Sequence, residues 1–238
     1  MIPLLSIIIP TLDVDVELRR CVDSVCLAIP DSEMREIVLV LPSSKAADAA
    51  ERFPDARVVA ESRPSVYSAM NDGVAASTGR YLYFLGKDDI LLPAVHRVLS
   101  LLAAESPSAV FSDVYWGSKG RHRARPSRFQ ILVFNVCHQG IVYSREAITT
   151  HGPFMRRFRT HADHLLNIRL LWDPNLRRRV RYLAVPIAWY AATGLSSRTF
   201  DVNFVRAQPA IIGRYLGPIA AALWQPFKWF RLRWHRSD

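Results

Sequence analysis

Two adjacent carboxylates, Asp88 and Asp89, follow the apolar run Tyr81–Leu85. Such a pair repels itself unless a cation or a base sits with it. A hard divalent cation takes oxygen ligands, and magnesium commonly uses one or two carboxylates together with substrate phosphates. One reading of the pair is therefore a metal–diphosphate clamp. The other is a cap for the helix expected to begin near Pro93. Dinucleotide and P-loop chemistry are excluded. Both need a glycine-rich turn after a strand, and the turn after the first strand is Pro10-Thr11-Leu12-Asp13. The three cysteines, Cys21, Cys26 and Cys137, show neither a C-x-x-C pair nor a zinc spacing. That pattern fits a reducing compartment and no structural zinc.

The elements that position these residues are legible from hydrophobic periodicity. Leu4–Pro10, Glu36–Leu41, Ala56–Ala60, Tyr81–Leu85 and Ala109–Trp116 read as strands, several of them continuous apolar runs of the fully buried kind. Between them, Asp13–Ile29, Ala46–Phe53, Val66–Ser77 and Pro93–Ala104 carry helical stripes. Strands alternating with helices predict an α/β fold, a mostly parallel central sheet with helices on both faces. Ligands of such sheets sit beyond the carboxyl ends of the strands. Those ends bring up Pro10, Thr11 and Asp13, then Ser43, Arg63, and Lys87 with the Asp88–Asp89 pair. The second half is less regular. Arg121–Arg128 reads as a loop, Cys137–Ser144 as a strand, Ala162–Trp172 as a helix, Arg181–Tyr190 as a strand and Ser196–Asn203 as a loop.

The chain has 238 residues, half of them apolar, which suits one large domain or a domain with an extension. Its net charge of +10 is unevenly spread. Residues 1–113 hold 10 basic and 16 acidic side chains, and residues 114–238 hold 21 and 5. A basic second half implies an anionic partner. No signal peptide and no spanning helix is expected. Beyond residue 206, Ile219, Leu223, Phe227, Phe230 and Trp234 share one helical face, flanked by Lys228, Arg231, Arg233 and Arg236. Pro226 is expected to kink or split that helix. A Trp-bearing apolar stripe with basic flanks reads as an interfacial helix on an anionic membrane surface. The alternative is that Ile219–Phe227 packs on the core and the last residues form a solvated tail. Nucleic acid is not an expected partner, because no nucleic-acid motif accompanies the charge and the acidic half would repel a phosphate backbone.

Five segments in order carry a resemblance: Ser6-Ile7-Ile8-Ile9-Pro10-Thr11; Ala69-Met70-Asn71-Asp72-Gly73; Gly79 through Asp89; Cys137-His138-Gln139-Gly140 with Phe154 and Ala162-Asp163-His164-Leu165; and Thr193-Gly194-Leu195-Ser196-Ser197. Together they resemble glycosyltransferase family 2, of the bacterial polysaccharide-biosynthesis type, with its GT-A nucleotide-sugar fold. The resemblance implies a glycosyltransferase domain over 1–205, divided into a donor half (1–116) and an acceptor half (117–205), with a membrane-contacting extension over 206–238. It implies a nucleotide diphospho-sugar donor bound by Pro10, Thr11, Asp13, Ser43, Arg63, Asn71, Lys87 and Asp88. It implies Mn2+ or Mg2+ on Asp89 and Asp88, and inverting transfer with Asp163 as general base. It implies a catalytic role for His138 beside Asp163, with His138, Gln139 and His164 on the acceptor side. His138 has a plain structural reading as well. The implied acceptor is a glycan or a polyprenyl-linked saccharide at the cytoplasmic face of the cell membrane. Three positions depart from the family pattern. No acid follows the second strand at Leu41-Pro42-Ser43-Ser44-Lys45, Ser68 stands where an Asp is usual, and Lys87 precedes the acidic pair. They leave open a second reading, an inactive homologue acting as a membrane-associated binding or accessory protein.

Overall fold

The Ser-Ile-Ile-Ile run forms β1 (Leu5–Pro10) at the centre of the parallel part of the sheet. A computed structural model describes residues 2–192 and 199–234. The Thr193–Ser197 segment and Arg236 lie outside the described residues, as does the first part of the expected Ser196–Asn203 loop. Strand β1 pairs in parallel with β2 (Arg35–Leu41) on one side and β4 (Tyr81–Phe84) on the other, and β2 pairs with β3 (Arg57–Ala60). The connecting helices are α1 (Val16–Ala28), α2 (Ala46–Arg52) and α3 (Val66–Ala76). Alternation along β1 explains why every residue of the run is apolar or small. Leu5, Ile7 and Ile9 pack with Leu18 and Val22 of α1, whereas Ile8 packs into the opposite core with Tyr67 of α3. Both faces are buried, so both must be apolar.

After β4 the chain makes the loop that carries Asp88 and Asp89, then β5 (Ile90–Leu91), α4 (Val95–Glu105) and β6 (Ala109–Trp116). The second half adds β7 (Arg121–His122), β8 (Ile141–Ser144), α5 (Arg145–His151), α6 (Ala162–Trp172), α7 (Pro174–Arg178) and β9 (Val180–Tyr190). One sheet results, in the order β3-β2-β1-β4-β8-β6-β9-β5, with β7 paired to β6. Strand β8 is antiparallel to both β4 and β6, so the sheet is mixed beyond its parallel strands β1 to β4.

Three expectations are modified. The predicted strand Cys137–Ser144 is a 3-10 turn over His138–Gly140 followed by β8. Gly140 accounts for this: a Cβ there would lie 2.2 Å from the Ser112 carbonyl oxygen, so the backbone passes too close to β6 for any side chain. The expected loop at Arg121 starts with a two-residue strand, because Asp113 accepts from Arg121 Nε at 2.8 Å and fastens it to β6. Residue 206 falls inside α8 (Val202–Leu216), whose Phe204, Val205, Gln208 and Ile212 are buried.

The chain then turns at Gly217 (φ +89°) into α9 (Pro218–Trp234), which runs on through Pro226. Pro226 and Ala222, the residue whose carbonyl loses its partner, are both exposed. Water can satisfy that carbonyl, so the helix is not broken. Among the described residues no helix is long and apolar enough to cross a membrane.

Candidate active site

The carboxyl ends of β1, β2 and β4 converge on one edge of the sheet. Pro10 ends β1, and the Thr11 amide bonds to Val40 O of β2 at 2.9 Å. The buried Thr11 hydroxyl donates to Asp13 O at 2.8 Å and accepts from the Asp13 amide at 3.3 Å, shaping the turn that glycine would otherwise have to make. Asp13 pairs with Lys45 at 3.5 Å, across from the exposed Ser43. Lys87 reaches the start of α1 and pairs with Asp15 and Glu17. Asp15 also caps α1 by accepting from Leu18 N at 3.0 Å. Lys87 is thereby spent on fixing the acidic loop to α1. Arg63 is exposed in the loop before α3.

Asp89 is buried and accepts three hydrogen bonds. One oxygen accepts from Gln139 Nε2 at 2.8 Å and Gly86 N at 3.1 Å, and the other from Ala191 N at 2.9 Å. Burial pushes its carboxyl up to about 7, with Asp88 adding to the rise and the three N–H donors working against it. Asp88, its neighbour, is only partly buried. A Cβ on Gly86 would lie 2.6 Å from an Asp89 oxygen and 2.9 Å from an Asp88 oxygen, so glycine at this position lets both carboxylates crowd one turn. Helix α4 has Ala94 at its N-cap with no side-chain cap bond, which removes the capping explanation of the pair. The oxygens are of the hard type that Mn2+ or Mg2+ takes, and among the described residues no group of three or more potential ligands forms. A cation here would complete its shell with phosphate and water.

A second carboxylate centre lies behind the first. Asp163 sits in the first turn of α6, buried, where one oxygen accepts from Tyr67 Oη at 2.6 Å and the other from Asn135 Nδ2 at 2.7 Å. Burial and the Asp163 charge together drive the Tyr67 hydroxyl well above its ordinary range, so it stays a donor. The His138 ring stands 3.9 Å from Asp163, beyond hydrogen-bond distance. It packs against Phe84, Tyr143 and Phe154. Among the described residues neither of its buried nitrogens has a hydrogen-bond partner. Burial lowers the pKa of His138, although Asp163 opposes the shift, so the imidazole is neutral. A buried polar group without a partner is costly, and this one lies beside a carboxylate.

The two centres are joined by the 3-10 turn. His138 turns toward Asp163, while the next residue, Gln139, bonds to Asp89. Gln139 is therefore the brace of the acidic loop, a role its expected acceptor-side position did not include. Two other expected residues are engaged elsewhere. Asn71 spends both ends of its amide on the Phe154 backbone, at 2.9 and 3.0 Å, tying α3 to the segment before α6. His164 is buried away from Asp163, its Nε2 2.6 Å from Ile131 O and its ring stacked on Phe204, so it serves packing. Tyr67 and Asn135 were not expected. Tyr67 falls on the inward stripe of α3 and reads as core, and Asn135 lies in a stretch without periodicity. Cys137, buried, has its thiol pushed up to about 12 and is no nucleophile.

The site thus combines a carboxylate pair at the carboxyl edge of the parallel strands of a mixed α/β sheet with a further buried carboxylate, Asp163, on α6. The profile of Glycosyl transferase family 2 matches residues 6–165. The chain is 35% identical over 221 residues to a PGL/p-HBAD biosynthesis glycosyltransferase of Mycobacterium bovis and Mycobacterium tuberculosis, covering 87% of this chain and 84% of the relative. Among solved structures it is similar to S. aureus TarS 1-349 in complex with UDP-GlcNAc, with a TM-score of 0.69 at 13% identity over 91% of this chain and 69% of that one. It is also similar to the mannosyltransferase PcManGT of Pyrobaculum calidifontis in complex with GDP-Man and Mn2+, with a TM-score of 0.59 at 16% identity over 89% and 64%. The chain belongs to glycosyltransferase family 2 and is a glycosyltransferase.

Proposed function

We propose that the chain transfers a sugar from a nucleotide diphospho-sugar to a hydroxyl of a glycan or polyprenyl-linked saccharide, with inversion. One observation carries this reading: consecutive residues of a single turn face the acidic loop and the buried Asp163. A donor site and a base held in fixed relation are what in-line displacement needs. The acceptor oxygen attacks the anomeric carbon, the bond from that carbon to the phosphate oxygen breaks, and the nucleoside diphosphate leaves with the electron pair. Asp163 takes the hydroxyl proton. Tyr67 and Asn135 hold its carboxylate in place. His138, whose nitrogens have no partner among the described residues, can hydrogen-bond the acceptor or the sugar. A bound Mn2+ or Mg2+ would supply positive charge against the departing diphosphate. Asp88 is the more accessible ligand for it and Asp89 the buried support. Thr11, Pro10, Asp13 and Ser43 line the edge where the nucleotide would lie.

The donor reading has support from the UDP-GlcNAc and GDP-Man complexes of the similar structures. The mycobacterial relatives are named for PGL/p-HBAD biosynthesis, which suits a lipid-linked acceptor and work at the inner face of the membrane. Calorimetric titration with UDP, GDP and dTDP, with and without Mn2+, tests the reading on wild type and Asp88→Ala. Metal-dependent binding of one nucleotide, lost in the variant, is expected. Failure of all three nucleotides to bind in the presence of Mn2+ would overturn it.

A further inference from the structure

Helix α9 is amphipathic the wrong way round for a soluble protein. Its inner face, which includes Ala220 and Trp224, packs with α8 against the core, and Arg231 bonds inward to Gln208 Oε1 at 3.2 Å. Its outer face is apolar. Ile219 and Leu223 are each 76% exposed, Trp229 63%, Phe230 58% and Phe227 44%. At 100° per residue these five lie within one half of the helix circumference. Clustered exposure of large apolar side chains marks an interaction surface.

The charge around this face identifies its occupant. From Val202 to Trp234 the sequence has no Asp or Glu and five basic residues, Arg206, Arg214, Lys228, Arg231 and Arg233. Arg206, Arg214 and Arg233 are exposed. A second copy of the chain would bring the same basic segment against itself, because a two-fold interface is self-complementary, and no acid in the segment could answer it. Anionic lipid headgroups answer both features, since the rings and aliphatic groups enter the acyl boundary while the cations stay at the phosphates. Seventeen residues of helix reach about 25 Å at 1.5 Å per residue, short of a hydrocarbon core of about 30 Å. The helix therefore lies on the surface and does not cross it.

We propose that the outer face of α9 docks flat on an anionic bilayer. The proposal rests on the membrane setting suggested above but not on the chemistry of transfer. Docking would also orient the site. Helix α8 is fastened to the acceptor half where Gln208 Nε2 donates to Leu132 O at 3.0 Å and Asp201 accepts from Thr160 N at 2.9 Å. The segments that carry Asn135 and Asp163 are thus held next to the docked hairpin.

The test is flotation of the full chain with phosphatidylcholine vesicles, with and without phosphatidylglycerol. The comparison variants are Ile219→Ser/Leu223→Ser/Trp229→Ser and, separately, Arg214→Gln/Arg233→Gln. Wild type should bind the anionic vesicles. The apolar variant should lose binding at least about tenfold, since each large side chain contributes about that much on burial. The arginine variant should lose the preference for phosphatidylglycerol. Equal flotation of wild type and the apolar variant would overturn the proposal. So would a wild-type dimer in light scattering that the apolar variant splits, with no vesicle binding by either. Nucleotide binding by the apolar variant, measured in solution, separates the two readings: it should match wild type, and its absence from both proteins would count against the transferase assignment alone.

Discussion

Each oxygen of a carboxylate can accept two hydrogen bonds, and Asp163 spends one on each side, on Tyr67 and on Asn135. The remaining acceptor positions are what a general base needs, and the two donors keep them aimed. Asp163→Asn should lower kcat about 10²-fold or more while leaving calorimetric nucleotide binding unchanged, because an amide cannot take the proton. Tyr67→Phe removes one aiming bond and leaves the base. We expect a fall in kcat of about tenfold, of the size of a lost hydrogen bond to a charged group, again with nucleotide affinity intact. A loss of nucleotide binding in either variant would move Asp163 from the transfer step to the architecture. Neither donor was legible in the sequence. Tyr67 lies 96 residues from its partner and Asn135 lies 28, and a side-chain pairing across such a span leaves no periodicity to read. Asp88 and Asp89 were legible as a pair, but not as one braced and one accessible carboxylate, because the brace comes from Gln139 and Ala191 on distant elements.

At the scale of elements, the first half is legible in the sequence almost residue by residue. Runs such as Ile7-Ile8-Ile9 and Val38-Leu39-Val40 are buried on both faces, and only a central parallel strand demands that. The second half resisted because its turns depend on neighbours. The turn at His138 exists because β6 crowds Gly140, and nothing local announces β6. Helix α6 carries a further consequence. Burial lowers the His164 imidazole from 6.5 to about 4, so the fold favours its neutral form. Above pH about 6.5 His164 costs the fold nothing; as pH falls toward 4 the unfolded state takes the proton first, and the stability lost grows to about 3 kcal/mol at the acid end. Urea midpoints measured at pH 7 and at pH 4.5 should therefore differ less for His164→Leu than for wild type. An equal drop in both would show that other groups control acid unfolding.

The molecule as a whole is electrically divided, with a net-acidic first half and a strongly basic second half. This division sits beside a geometric one, for the carboxyl edge of the parallel strands belongs to the first half while the basic hairpin of α8 and α9 lies against the second. If the hairpin meets anionic lipid, the acidic half is repelled from the same surface and the orientation is set twice, by attraction and by repulsion. Attraction between exposed charges is screened by salt, with a Debye length of about 8 Å at physiological ionic strength and about 3 Å at 1 M. Vesicle binding should accordingly weaken as salt rises, down to a floor set by the apolar face. Binding that does not change with salt would assign the interaction to Ile219, Leu223 and their neighbours alone.

The turn over His138–Gly140 also makes the protein its own indicator. Gln139 touches the acidic loop and His138 touches none of it, yet the two are covalent neighbours in a turn that Gly140 pins against β6. A ligand that draws on the Asp89 oxygens competes with Gln139 for them, and the turn offers a path from there to His138. The imidazole resonances of His138 should shift when nucleotide and diamagnetic Mg2+ bind on the far side of the turn, and Gln139→Ala should reduce that shift while nucleotide still binds. A shift at His138, 3.9 Å from Asp163, would report the arrival of the donor beside the proposed base.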